Sequence, residues 1–357
     1  VTGAARRTAP AGRSGDGLAF LPVRALRAAL RDRDPAEAID AGARWGRRVA
    51  ALGGSVTDVA RINMGIAFPE WDVEARERLL FDAYASVGRG VAELALLQGR
   101  HRGALLDAVR LEGVHHLAAA VSASPTGGVL VVTAHYGTWD LYAAAIAQRG
   151  YALSVVQRGF SSPRLEAMMT RIRIDGGGDL EEIRMGPRAG ADLLAALRRG
   201  RIGIALLDQN ARAGEGVFVP FFSRLACTRF APAVIAMRRR VPVLPVFGHR
   251  EGTGSGHVVR IGAPIEIAPG PGHRRDPDQA RLVAENVARM TRPIEDAIRS
   301  GPEHWLWSQR RWRTRPPGPP AEHAALYPDR RGWLRAVRRA GRRWRAPAAA
   351  PRDPKGA

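Results

Sequence analysis

Of the 357 residues in this chain, one is a cysteine, Cys227, and one is a lysine, Lys355. A single thiol excludes an internal disulfide and a cysteine-rich zinc site, and it fits a reducing compartment. The nine histidines contain no HxxxH pair, so no metal centre is expected. No run of about 18 apolar residues occurs, which argues against an ordinary transmembrane helix. Leu18–Leu30 is interrupted by Pro22, Arg24 and Arg27 and lacks a signal-peptide cleavage pattern. There is no GxxxxGK(S/T) phosphate loop, no GxSxG elbow and no internal repeat. The glycines at 176–178 do not join a strand to a helix with dinucleotide spacing. No cofactor is expected.

Basic charge is abundant. Fifty-five basic residues face 34 acidic ones, a formal net charge of +21, and nearly all of the positive charge is arginine. Such a surface suits phosphate or anionic lipid. An apolar fraction of 45% is enough for a sizeable core.

The pattern divides the chain into four parts. Residues 1–17, rich in Gly, Ala, Arg and Ser, are expected to be disordered. Residues 18–122 read as a helical region, clearest over Trp71–Leu97, with a further helix over Leu111–Val121. Residues 123–316 alternate short apolar runs with amphipathic ones. Strands are expected near 127–134, 151–157, 201–208, 241–248 and 257–267, and helices over Pro163–Ile174, Ala189–Arg199, Arg229–Arg239 and Asp276–Arg299. This alternation predicts an α/β fold, a central mostly parallel sheet flanked by helices. Residues 317–357 read as a Pro-rich linker and a basic amphipathic tail. There Trp333, Val337, Ala340 and Trp344 lie at helical spacing among arginines, a pattern suited to a membrane surface.

The most informative stretch is Val129–Tyr142, VLVVTAHYGTWDLY. A β-branched run ends at His135, a turn with Gly137 and Trp139 follows, and then Asp140 opens a helical stretch. Positions i and i+5 diverge on one helix, so His135 and Asp140 meet only if the chain turns between them. His273 and Asp278 share the spacing but sit in a Pro/Gly loop with no preceding strand. The residues alone leave two readings open. In one, His135 is a strand-end histidine satisfied by backbone and Asp140 caps a helix. In the other, neutral His135 takes a proton from an acceptor hydroxyl, Asp140 fixes its tautomer, and the hydroxyl attacks a thioester with no enzyme nucleophile.

The HYGTWD segment after an apolar strand resembles the motif of the bacterial lipid A biosynthesis late acyltransferases of the lauroyl/myristoyl type. These belong to the lysophospholipid acyltransferase-like group. Residues 63–80 resemble that family's N…FPE segment, 168–177 its R…G segment, 206–222 its DQ segment and 301–316 its W–W–RR–RP segment. The resemblance implies an O-acyltransferase with His135 and Asp140 catalytic. It also implies acyl carrier protein as donor and a membrane lipid as acceptor, such as a lipid A precursor or similar glycolipid. The expected location is the cytoplasmic face of the bacterial inner membrane, peripheral and on an anionic surface. Asp140 stands where the lipid A branch more often has Glu, which leaves phosphatidylinositol mannoside, lysophospholipid or amino lipid acceptors as alternatives.

Arg173, with Arg171 as rival, is the expected partner of an acceptor phosphate. Asp208 and Gln209, after a buried-looking strand, are expected to line the same crevice, along with Gly137 and Trp139. Phe218, Phe221 and Phe222 are candidates for an acyl groove, and Trp305, Trp307, Arg310, Arg311 and Arg313 for headgroup contacts. A basic nucleic-acid-binding protein is the rival from a different class. No recognisable binding module supports it, and no nucleic-acid partner is expected.

Overall fold

The computed structural model describes residues 24–25, 27–159, 163–252, 254–270, 278–316 and 326–327. The disordered N-terminus, the His273 decoy and the tail helix expected from the sequence lie outside these residues.

After helical residues at 27–30 come three longer helices: α1 (Pro35–Leu52), α2 (Ser55–Ala67) and α3 (Val73–Leu96). Each start that carries a side-chain cap is an aspartate. Asp34 accepts from the amides of Ala36 and Glu37 ahead of Pro35, and Asp72 accepts from Ala75. Helices α1 and α3 approach until backbones touch: a Cβ on Gly88 would stand 2.1 Å from the Gly42 carbonyl oxygen. A short helix α4 (Arg102–Asp107) leads to β1 (Val109–Glu112) and α5 (Val114–Ala123).

Alternation then begins: β2 (Val129–Thr133), α6 (Trp139–Gln148), β3 (Leu153–Gln157), α7 (Pro163–Asp175), β4 (Leu180–Arg184), α8 (Ala189–Arg198) and β5 (Ile202–Leu206). A hairpin of β6 (Gly216–Phe221) and β7 (Arg224–Arg229) follows. The remaining elements are α9 (Ala231–Arg239), β8 (Val243–Arg250), β9 (His257–Ile261) and α10 (Asp278–Ser300).

Seven described strands form one sheet in the order β1-β9-β8-β2-β5-β3-β4. The five from β8 to β4 are parallel, while β9 pairs antiparallel with β8 and β1 follows β9. The mixed α/β architecture is the one the alternation predicts. Two readings change in detail. Val109–Glu112, inside the stretch read as helical, joins the sheet, so the helix expected from Leu111 starts at Val114. Gly113 makes the break with a left-handed φ of 72°. The run 257–267, which allows one strand or two, forms one over His257–Ile261, and the Ile265 amide donates to the Val243 carbonyl.

Strand β2 sits between β8 and β5 with four of its five residues buried. A continuous apolar run is what a strand covered on both faces requires. Hydrophobic clusters lie on the two faces of the sheet, and the C-terminal segment 301–316 packs its tryptophans into one of them. Trp305, Trp307 and Trp312 are at most 1% exposed.

Candidate active site

Two strand ends build the site. Strands β2 and β5 run side by side with Thr133 opposite Leu206, and the Leu207 amide bonds to the Thr133 carbonyl. Two residues further along each strand come His135 and Asp208, so parallel register brings them face to face. Imidazole Nδ1 lies 2.9 Å from Asp208 Oδ1 and 3.2 Å from Oδ2, and the His135 amide donates to Oδ2 at 3.1 Å.

Asp208 is fully buried and takes two more bonds on Oδ2, from Trp305 Nε1 at 2.9 Å and Gln309 Nε2 at 3.0 Å. Burial pushes its carboxyl up, but the facing His135 ring and the bonds from His135 and Trp305 outweigh this and hold it at about 2. An ionised Asp208 accepts only, so the proton between the two belongs to Nδ1. This leaves Nε2 with its lone pair, and the Gln209 amide donates to it at 3.2 Å. The arrangement is an imidazole oriented as a base, in a side chain that is 17% exposed.

The C-terminal segment closes the site from behind. Gly137 donates to the His304 carbonyl, Leu306 to the His135 carbonyl, and Tyr136 bridges to Trp305. Asn63 anchors this segment, donating at 2.6 Å to the carbonyls of Trp307 and Gln309. Gly137 turns with a φ of 61°, and a Cβ there would stand 2.4 Å from the Gly248 oxygen.

Asp140 is placed differently from the sequence expectation. The carboxylate on His135 Nδ1 is that of Asp208. Asp140 sits in the first turn of α6 and faces α7, where Arg173 Nε donates to it at 2.8 Å. Arg173 also meets Glu182 at 2.7 Å and Gln157 at 2.5 Å and is only 10% exposed. Its charge is matched by two part-buried carboxylates, so in this structure the guanidinium belongs to an internal cluster. Arg171 is exposed.

Trp139 stacks edge-on against His135, ring centres 4.9 Å apart. Thr138 precedes α6, and its hydroxyl bonds to buried Glu93 of α3 instead of capping the helix. Glu93 also holds Arg250 and His257, and His257 bonds to the Tyr142 hydroxyl. This network ties α3, β8 and β9 to the turn that carries His135. The sequence reading missed it, because its members are scattered over 164 positions.

The aromatic candidates separate. Phe221 is fully buried between Phe222, Trp305 and Trp312, with Arg311 over its ring at 4.6 Å, so it belongs to the core. Phe222 is 9% exposed and carries Arg299 over its ring; Phe218 is half-buried. Trp305, Trp307 and Arg311 are not on a lipid-facing surface. Arg311 bonds to the carbonyls of Gln209 and Cys227 and to Thr228, and burial pushes its guanidinium down to about 10. Arg310 is partly buried and Arg313 exposed.

Beside the dyad, an apolar cavity of about 50 Å³ runs between the sheet and α6. Val131, Ile146, Val155 and Ile204 line it, and Trp139, Asp140 and Arg173 stand among its walls.

Residues 25–314 match the family of bacterial lipid A biosynthesis acyltransferases. The chain belongs to this family. A lipid A biosynthesis acyltransferase of Haemophilus influenzae is 25% identical over 260 residues, covering 72% of this chain and 78% of its own. The lipid A biosynthesis lauroyltransferase of Escherichia coli K12 is 23% identical, covering 73% and 80%. The myristoyltransferase of the same organism is 24% identical, covering 80% and 84%. Among the described residues of this acyltransferase, no helix is long and apolar enough to cross a membrane.

Proposed function

We propose that this protein transfers a fatty acyl chain from acyl carrier protein to a hydroxyl of a lipid A precursor at the cytoplasmic face of the inner membrane. The observation that carries the mechanism is the His135–Asp208 contact, with Gln209 on the opposite ring nitrogen. His135 Nε2 takes the acceptor hydroxyl proton as the oxygen attacks the thioester carbonyl. Asp208 keeps the proton on Nδ1 and stabilises the imidazolium. Collapse of the tetrahedral intermediate expels the carrier thiolate, which takes the proton back from His135. Gln209 marks where the hydroxyl docks. The Asp140–Arg173 pair holds the first turn of α6, and so keeps Trp139 against the imidazole. A carrier-borne donor is supported by the motif resemblance and by the net charge of +21, which suits an acidic partner.

The test is transfer of a radiolabelled acyl group from acyl carrier protein to a lipid A precursor. His135→Ala is expected to lose at least roughly a thousandfold in rate with an unchanged circular dichroism spectrum. Full activity of that variant refutes the mechanism. Product on a different lipid, with native membranes as acceptor, refutes the substrate assignment alone.

A further inference from the structure

Trp305, Trp307 and Arg311, three of the residues expected to contact lipid headgroups, are buried, which directs attention to the apolar side chains left exposed. Among the described residues, the large apolar side chains left exposed are Trp45, Leu52, Val56, Val73, Val87 and Leu225, and all but the last belong to the first three helices. Leu52 is 84% exposed and Val56 54%, on either side of the turn between α1 and α2. Trp45, Val49 and Leu52 follow one another at i, i+4 and i+7, a single stripe on α1. The adjoining side of that helix, Gly42 and Gly46, packs against α3.

Arg44 and Arg48 form the neighbouring stripe of α1, both exposed and without an ion-pair partner among the described residues. Arg47 alone has a carboxylate, Asp82 at 3.4 Å. Apolar side chains beside unpaired arginines match the interface of an anionic bilayer, where the rings and branched chains enter the acyl boundary and guanidinium groups meet phosphates.

The patch also leads to the catalytic loop. A groove of about 170 Å³ is lined by Trp45, Val49, Val56, Val87 and Leu306. Val87 and Leu306 are shared walls of a second cavity, of about 80 Å³, whose other walls include Gly137, Trp139, Asp140 and His304. The groove beside α1 therefore adjoins the cavity that reaches the turn after His135, with Val87 and Leu306 between the two.

We propose that the Trp45–Val49–Leu52 stripe, with Val56, Val87 and the flanking Arg44 and Arg48, is the surface that docks on an anionic lipid bilayer. A lipid acceptor enters the site from it, between Val87 and Leu306. The entry route rests on the lipid-acylation reading above; the docking surface does not.

The test is co-sedimentation of the full chain with vesicles of equal parts phosphatidylcholine and phosphatidylglycerol, and with phosphatidylcholine alone. Trp45→Glu with Leu52→Glu is expected to lower partitioning onto the anionic vesicles by roughly tenfold or more. Arg44→Glu with Arg48→Glu is expected to remove most of the preference for phosphatidylglycerol, also roughly tenfold. Leu225→Glu, exposed on the hairpin, is expected to sediment as wild type. His135→Ala is expected to bind vesicles normally while inactive, which separates a failure of catalysis from a failure of docking. Unchanged sedimentation of the Trp45/Leu52 variant, with near-ultraviolet circular dichroism reporting an intact fold, overturns the proposal. A concentration-dependent dimer that this variant dissolves also overturns it, and assigns the patch to a second copy of the chain.

Discussion

Four hydrogen bonds hold Asp208 against His135, and in the mechanism proposed above that contact acts through one proton. Asp208→Asn keeps the shape but offers an amide donor toward Nδ1, which favours the wrong tautomer. The expected result is a fall in kcat of roughly a thousandfold or more with little change in KM, read by steady-state kinetics. Asp140→Asn removes one of two carboxylates around buried Arg173. It should lower stability by about 1–3 kcal/mol, measured from the urea midpoint. The imidazole itself was legible in the sequence, because a histidine directly after a buried β-branched run marks a strand end. Its partner was not. The HxxxxD spacing points along the chain to Asp140, whereas the contact is set across the sheet. Counting two residues past each end of VLVVT and IGIAL gives His135 and Asp208, but that count requires knowing that β2 and β5 are neighbours in register.

At the scale of elements, what matters is how the first three helices are fastened to the sheet. Glu93 of α3 is fully buried, and burial pushes its carboxyl up. The bonds and charges of His257 and Arg250 prevail and lower it instead. Glu93→Ala leaves Arg250 and His257 buried without their carboxylate and frees Thr138 at the start of α6. The expected cost is about 3–5 kcal/mol, seen as a lower unfolding midpoint. Gly88→Val would force α1 away from α3, since a Cβ already meets the Gly42 oxygen at 2.1 Å. Most elements could be read from periodicity: the helix expected over Trp71–Leu97 occupies Val73–Leu96, and that expected over Asp276–Arg299 occupies Asp278–Ser300. The β6–β7 hairpin could not, because Pro220 and the charged Arg224 and Arg229 blur the alternation on which strand recognition depends. Charged residues inside the edge strands, Arg110 and Glu112 in β1 and Glu181, Glu182 and Arg184 in β4, hide them in the same way.

For the molecule as a whole, a net charge of +21 means that acid adds repulsion to a structure already crowded with cations. His304 is the sensitive point. Burial, together with His249 and Arg250 nearby, pushes its imidazole down to about 4. Between about pH 4 and 6.5 the unfolded chain binds a proton there that the native protein does not, so stability rises with pH across this window and levels off above it. The urea midpoint is expected to drop as pH falls from 6.5 to 4, and His304→Gln should shrink that drop. An equal drop in the variant would assign the effect to other groups.

The segment after α10 has a bearing on when the site can first form. Asp208 receives two of its bonds from Trp305 and Gln309, and Asn63 of α2 clasps the same strip of backbone. A ribosome that has finished every strand of the sheet has therefore still not delivered the side chains that set the carboxylate against its imidazole. Premature stop codons or proteolytic nicks upstream of Trp305 should yield fragments that fold in part but lack two of the donors that hold Asp208, so by the mechanism proposed above they esterify nothing.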